Sequence, residues 1–145
     1  MPARHAFEYA VIRVVPRVER EEFINAGVVL FSRAAGFLGC EIALDARRLH
    51  ALAGDGAPVD AGAIASHLQA MRDVGAGDPA AGPIARLSPS ERFHWLVAPR
   101  STAIQLSPVH GGVSEDPAAT LRHLFRTLVV GGIGPGSPAT STARG

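Results

Sequence analysis

The sequence predicts an α+β protein: a mainly antiparallel sheet of about four strands, in the order β-β-β-α-α-α-β-α, with helices packed on it. Three observations carry that expectation. Strand-like apolar runs separated by short turns open the chain, capped segments with helical spacing follow, and one more strand and one more capped helix close it. A 47% apolar content in 145 residues is enough for one buried core, so residues 1–130 are expected as a single domain and 131–145 as a Gly/Pro/Ser-rich disordered tail.

Phe7 to Val15, FEYAVIRVV, is rich in aromatic and β-branched residues and reads as a strand that Pro16 ends. RVEREEF reads as a helical turn with its charges in water. AGVVLFSR is a second strand, and its unbroken apolar run is what a strand covered on both faces requires. Ala35-Gly36 marks a tight turn into FLGCEIAL, in which Leu38, Cys40, Ile42 and Leu44 share one face.

Asp45 is a suitable N-cap for a helix from Ala46 to Ala53, stopped by Gly54. Asp60 starts the next, with Ile64, Leu68 and Met71 at helical spacing and Gly75 closing it. GDPAAGP, from Gly77 to Pro83, is a loop. Ser88-Pro89-Ser90-Glu91 matches a capping box, and its helix runs until Ala98-Pro99. TAIQLSPV, from Thr102, is a fourth strand ended or confined to an edge by Pro108, and HGG is a turn. Asp116-Pro117 opens a last helix whose buried stripe is Leu121, Leu124, Phe125 and Leu128.

Several function classes are excluded by composition. A net charge of +1 gives no basic surface for nucleic acid or a membrane. All 14 basic residues are arginine, so Schiff-base and phosphate-loop lysine chemistry are absent. The single cysteine, Cys40, forms no internal disulfide or cysteine zinc site and reads as a small buried thiol. The N-terminal apolar stretch contains Glu8 and Arg13, unlike a secretory signal, and no run approaches the ~20 residues that span a bilayer. The expectation is a cytoplasmic protein without metal or cofactor. The six histidines show no zincin spacing, a grouping of His94, His110 and Asp116 has no support from spacing, and no G-x-S-x-G elbow accompanies His110-Gly111-Gly112. Arg122 and Arg126 make a basic stripe that needs Arg47 and Arg48 to become a nucleic-acid surface.

Two polar clusters remain. In REEFINAGVVLF, Asn25 to Gly27 is expected to reverse the chain, with Gly27 letting the strand begin close to its neighbour. Asn25 is also a candidate ligand-binding amide, with Glu22 one helical turn back. In SERFHWLVAPRS, Arg92 and Trp95 lie three apart and are placed to stack, while Arg100 and Ser101 offer a fork and a hydroxyl to a carboxylate or phosphate. Arg13, Glu22, Asn25, Arg92, Arg100 and Ser101 are therefore the candidate binding residues.

The stretches YAVIRVVPRVEREEFINAGVVLF, ERFHWLVAPRSTAIQLSPVHGG and DPAATLRHLFRTLV together resemble a family of bacterial proteins called domain of unknown function 3037. The likeness spans roughly Phe7 to Val130. It rests on Tyr9, Arg13, the Glu22-Phe23-x-Asn25-x-Gly27-Val28 step, Arg92, Pro99-Arg100-Ser101 and Asp116-Pro117. The family brings no activity and no cofactor. Its resemblance implies a small accessory or protein-binding module, in some cases partnering kinase-like proteins of the toxin–antitoxin type. An arginine-lined site for a small anion is the alternative reading, and whether the protein is an enzyme stays open.

Overall fold

The computed structural model describes residues 3–54, 59–100 and 103–131. Its elements are β1 (His5–Arg17), β2 (Glu22–Ser32), β3 (Phe37–Ile42), α1 (Ala46–Ala53), α2 (Ala61–Ala76), α3 (Pro89–Val97), β4 (Ile104–Leu106), β5 (His110–Ser114) and α4 (Pro117–Phe125). The last helix continues through a π turn over Arg126–Val130. Gly131 ends that turn, and the remainder of the expected tail lies outside the described residues.

All five strands form one antiparallel sheet, ordered β3-β2-β1-β4, with β5 also paired to β1. β1 is long enough to take β2 along one side and β5 then β4 along the other. The expected α+β architecture holds, with one strand more than anticipated. That strand corrects the HGG turn: Gly111 pairs with Glu8 and Gly112 with Phe7. A Cβ at Gly112 would meet the Phe7 ring at 2.7 Å, so the missing side chain serves a close approach within a strand.

A second correction concerns Asn25 to Gly27, which do not reverse the chain. The reversal is made earlier, by a 3-10 turn over Val18–Arg20 and by Glu21 at φ 55°. Asn25 and Gly27 lie inside β2, where Ile12 pairs with Gly27 and Arg13 with Asn25, leaving Ala26 as the extra residue of a bulge. Gly27 is demanded by crowding, since a Cβ there would stand 2.7 Å from the Glu41 carbonyl oxygen and 3.0 Å from Ile12 and Ile42 carbons. Pro16 does not end β1 either. Val14 pairs with Ile24 and Arg17 with Glu22, so Val15 and Pro16 share a second bulge in which the missing N–H is tolerated.

The bulge at Ala26 divides β2 between two cores. Ile24, Ala26, Val29 and Phe31 join Ile12, Val14 and Cys40 beneath Leu49, Leu68, Met71, Phe93 and Leu96, from α1, α2 and α3. Val28 and Leu30 point the other way, with Phe7, to Leu121, Leu124 and Val129 of the C-terminal helix. Both faces of β2 are thus covered, as its continuous apolar run required. The helix starts follow the sequence closely. Asp45 accepts from the Arg47 and Arg48 amides, Asp60 from Ala63, and Asp116 from Ala119. Ser88 and Glu91 complete the capping box. α2 runs past Gly75 to a left-handed cap at Gly77, and the loop after it carries two 3-10 turns, Pro79–Ala81 and Pro83–Arg86. Among the described residues no helix is long and apolar enough to cross a membrane.

Gly27→Ala is expected to lower unfolding stability by about 1–3 kcal/mol, the usual range for forcing an atom into a packed site. A urea titration reads it as a lower midpoint with an unchanged slope. An unshifted midpoint would mean that the β2–β3 approach is looser than the geometry requires.

Candidate functional site

Among the described residues β3 is the outermost strand on its side of the sheet. The bond from the Ala43 N–H to the Ala26 oxygen, at 2.8 Å, sets the phase of its ladder with β2. By the two-residue alternation, the N–H and C=O groups of Leu38, Cys40 and Ile42 then turn away from β2 toward the open edge. A cleft of about 260 Å³ lies along this edge, floored by Gly39 and Cys40 and walled by Ala76 of α2 and Ala118 of α4. Gly39 lets α4 pack closely on β3 beside the cleft, since a Cβ there would come within 2.5 Å of Leu121 Cδ2.

Arg72 and Arg122 stand at the two walls. Arg72 Nε lies 3.9 Å from Glu41 Oε1, a loose and exposed pair worth little, whereas Arg122 has no carboxylate partner among the described residues. Cys40 carries no nucleophile here. Burial, then the neighbouring Glu41 charge, pushes its thiol up to about 12, in keeping with the buried thiol read from the sequence.

A second cluster sits on the α4 side of the sheet. Arg13 pairs with Asn25 on β2 and Gln105 on β4, so the three side chains form one row across the strands. Asn25 Nδ2 donates to the Leu128 oxygen at 3.0 Å and ties β2 to the C-terminal turn. The Arg13 guanidinium lies 4.3 Å from the centre of the Phe23 ring, which is 43% exposed. Its Nε is buried and has no acceptor. Glu22 does not join Asn25. Three residues apart on a strand, they face opposite sides, and Glu22 Oε1 instead meets Arg20 Nε at 3.0 Å, an ion pair without an aligned hydrogen bond.

Arg92 and Arg100 belong to the layer of α2 and α3, across the sheet from Arg13 and Asn25. Arg92 donates to the Leu87, Val74 and Gly75 carbonyls at 3.0, 2.9 and 3.0 Å, fastening α3 to the C-terminal turn of α2. The expected stacking of Arg92 on Trp95 is made instead by Arg100, 4.2 Å from the ring centre, which also donates to the Trp95 carbonyl. Burial lowers the Arg100 pKa from its ordinary value. Ser101 lies outside the described residues. The six candidates therefore divide between the two sides of the sheet, with Arg13 and Asn25 together, Arg92 and Arg100 elsewhere, and Glu22 turned from both.

The remaining polar groups are dispersed. Among the described residues no three metal-ligating side chains converge, so the grouping of His94, His110 and Asp116 does not form. Arg47 and Arg48 lie on α1, which packs on the opposite core from α4, and cannot extend the Arg122–Arg126 stripe. A wider cleft of about 600 Å³ is lined by Glu8, Phe31, Arg33 and His94. Its Arg33 and His94 are both held by Ser90, through Oγ at 3.1 Å and the carbonyl at 2.9 Å. Sequence reasoning passed over Arg33 and Arg72, because nothing local says which strand will be outermost or which surface arginines will flank it.

These features define a small α+β module with one open, arginine-rimmed sheet edge and no assembled catalytic group among the described residues. The chain belongs to the family described as "Protein of unknown function (DUF3037)", whose model matches residues 9–129. Neither a curated protein nor a solved structure matches it.

Arg92→Met is expected to cost about 2–3 kcal/mol of stability, as charge-assisted bonds to helix-end carbonyls are lost. Thermal unfolding at neutral pH measures this, and a change near zero would show that α2 and α3 hold without the guanidinium. Cys40 gives a pH test. A folded thiol that keeps its proton to about 12, against an ordinary 9.0, leaves the unfolded state with fewer bound protons between those values. Stability then falls as pH rises through that window. Maleimide labelling below it should wait on unfolding, and rapid labelling of the native protein would contradict the buried thiol.

Proposed function

We propose that the protein is a non-enzymatic accessory module that captures an extended, acidic segment of a protein partner on the free edge of β3. The observation that carries this reading is the outward turn of the Leu38, Cys40 and Ile42 backbone groups along the edge of β3, where a cleft lined by Cys40 lies between Arg72 and Arg122. Backbone donors and acceptors require partners, and a strand edge supplies them most directly to another extended chain. Small wall residues leave room for a backbone to approach, and the two arginines favour carboxylates beside it. A second copy of this protein is the poorer occupant, since each rim sets two arginines against the one acid Glu41, and two-fold pairing through β3 would bring two net-positive rims together. The kinase-like proteins implied by the family resemblance are the first partners to examine, in a bacterial cytoplasmic setting.

Fluorescence polarisation with a labelled, alternating Glu/Val peptide tests the proposal. The acidic peptide should bind, should weaken with added salt, and should lose about tenfold in affinity on Arg72→Gln with Arg122→Gln. Equal binding of a Lys/Val peptide, or self-association that depends on the same two arginines, would overturn it.

A further inference from the structure

A different site, on the α4 side of the sheet, carries an inference independent of the docking edge. We propose that Arg13, seated on Phe23, is the receptor for an oxyanion, the carboxylate or phosphoryl group of a small ligand.

Charge pairing at the β1–β2 corner is incomplete. Three arginines sit there, and two have acids: Arg17 Nη1 lies 3.7 Å from Glu19 Oε2, and Arg20 Nε 3.0 Å from Glu22 Oε1. Arg13 has none within ion-pair distance among the described residues, and its Nε has no hydrogen-bond partner there. Its Nε is removed from solvent, so part of the desolvation of a cation is incurred with nothing opposite it. A buried donor left in that state calls for a group that the described residues do not provide.

The surroundings suit an anion. The guanidinium lies over the Phe23 ring, 4.3 Å from its centre, and that contact restrains a planar fork whose N–H groups suit an oxyanion. The same platform accounts for a phenylalanine left 43% exposed. Asn25, the cross-strand partner of Arg13, adds a second donor in the row. Its amide carries two hydrogens and the Leu128 carbonyl uses one, at 3.0 Å. Because that bond also fixes the side chain, fork and amide are oriented before any ligand arrives, which limits the ordering cost of binding. None of the corner's three acids pairs with Arg13 among the described residues: Glu22 faces the other side with Arg20, Glu19 is paired with Arg17, and Glu21 is exposed at the turn.

The test follows the arginine Nε–H resonances of the full chain by ¹⁵N NMR during separate titrations with inorganic phosphate and acetate. The Arg13 resonance should move saturably with at least one of them, and the stronger of the two identifies the ligand as phosphoryl or carboxylate. Arg13→Lys, which keeps the charge without the fork, should weaken binding by about tenfold, read from the Asn25 side-chain amide. Asn25→Asp should abolish it by setting a carboxylate beside the fork. Arg92, occupied by three carbonyls, serves as the internal control and should stay still. A linear drift of Arg13 matching that of exposed arginines, or undiminished binding in Asn25→Asp, would overturn the proposal and leave Arg13 as a cover for the Phe23 ring.

Discussion

The structure depends on one extra residue in β2. Because Ala26 is inserted opposite the Ile12–Arg13 step, the alternation of side chains changes phase in mid-strand. Ile24 and Ala26 then face the same core as Val29 and Phe31, while Val28 and Leu30 serve the other. Without the bulge, Ile24, Ala26, Val28 and Leu30 would crowd one face, and the C-terminal helix would lose most of its seat on the sheet. The bulge has its own requirement, a residue without Cβ at Gly27, where the β3 backbone comes closest.

The same insertion sets the polar geometry. It turns Phe23 and Asn25 toward the side of α4, where Asn25 grips the end of the C-terminal turn and Phe23 supports Arg13. One local irregularity therefore aligns the two cores and one of the two candidate sites. The other site follows from topology. With β1 at the centre of the sheet, β3 is left outermost, and helices anchored on opposite faces bring Arg72 and Arg122 to its edge. Bulge and edge are linked through β2, whose register against β3 also fixes which backbone groups look outward.

The arginines illustrate how a residue type with one chemistry acquires several uses. Arg92 replaces solvent at a helix end, Arg100 covers Trp95, and Arg17 and Arg20 pair with nearby acids. What separates Arg13 from them is the lack of an acceptor or acid among the described residues, not its charge. A chain without lysine makes this contrast clear, since every cation is a planar fork whose bonding can be compared on equal terms.

The sequence by itself determined the helices and their caps, since Asp45, Asp60, the Ser88–Glu91 box and Asp116-Pro117 act within four residues of themselves. It also determined the first three strands and the buried character of Val28 to Phe31, because burial on both faces leaves an unbroken apolar run. The misreadings share a cause. Asn25-Ala26-Gly27 and His110-Gly111-Gly112 have the composition of turns, but Gly27 and Gly112 answer to crowding by Glu41 and Phe7, residues far along the chain. Arg13 and Asn25 were legible as candidates; that they share a row, and that Arg92 and Arg100 lie across the sheet from them, was decided only by strand register. Local backbone preference is written residue by residue, whereas which side chains meet depends on pairings between distant segments, and those only the tertiary structure sets.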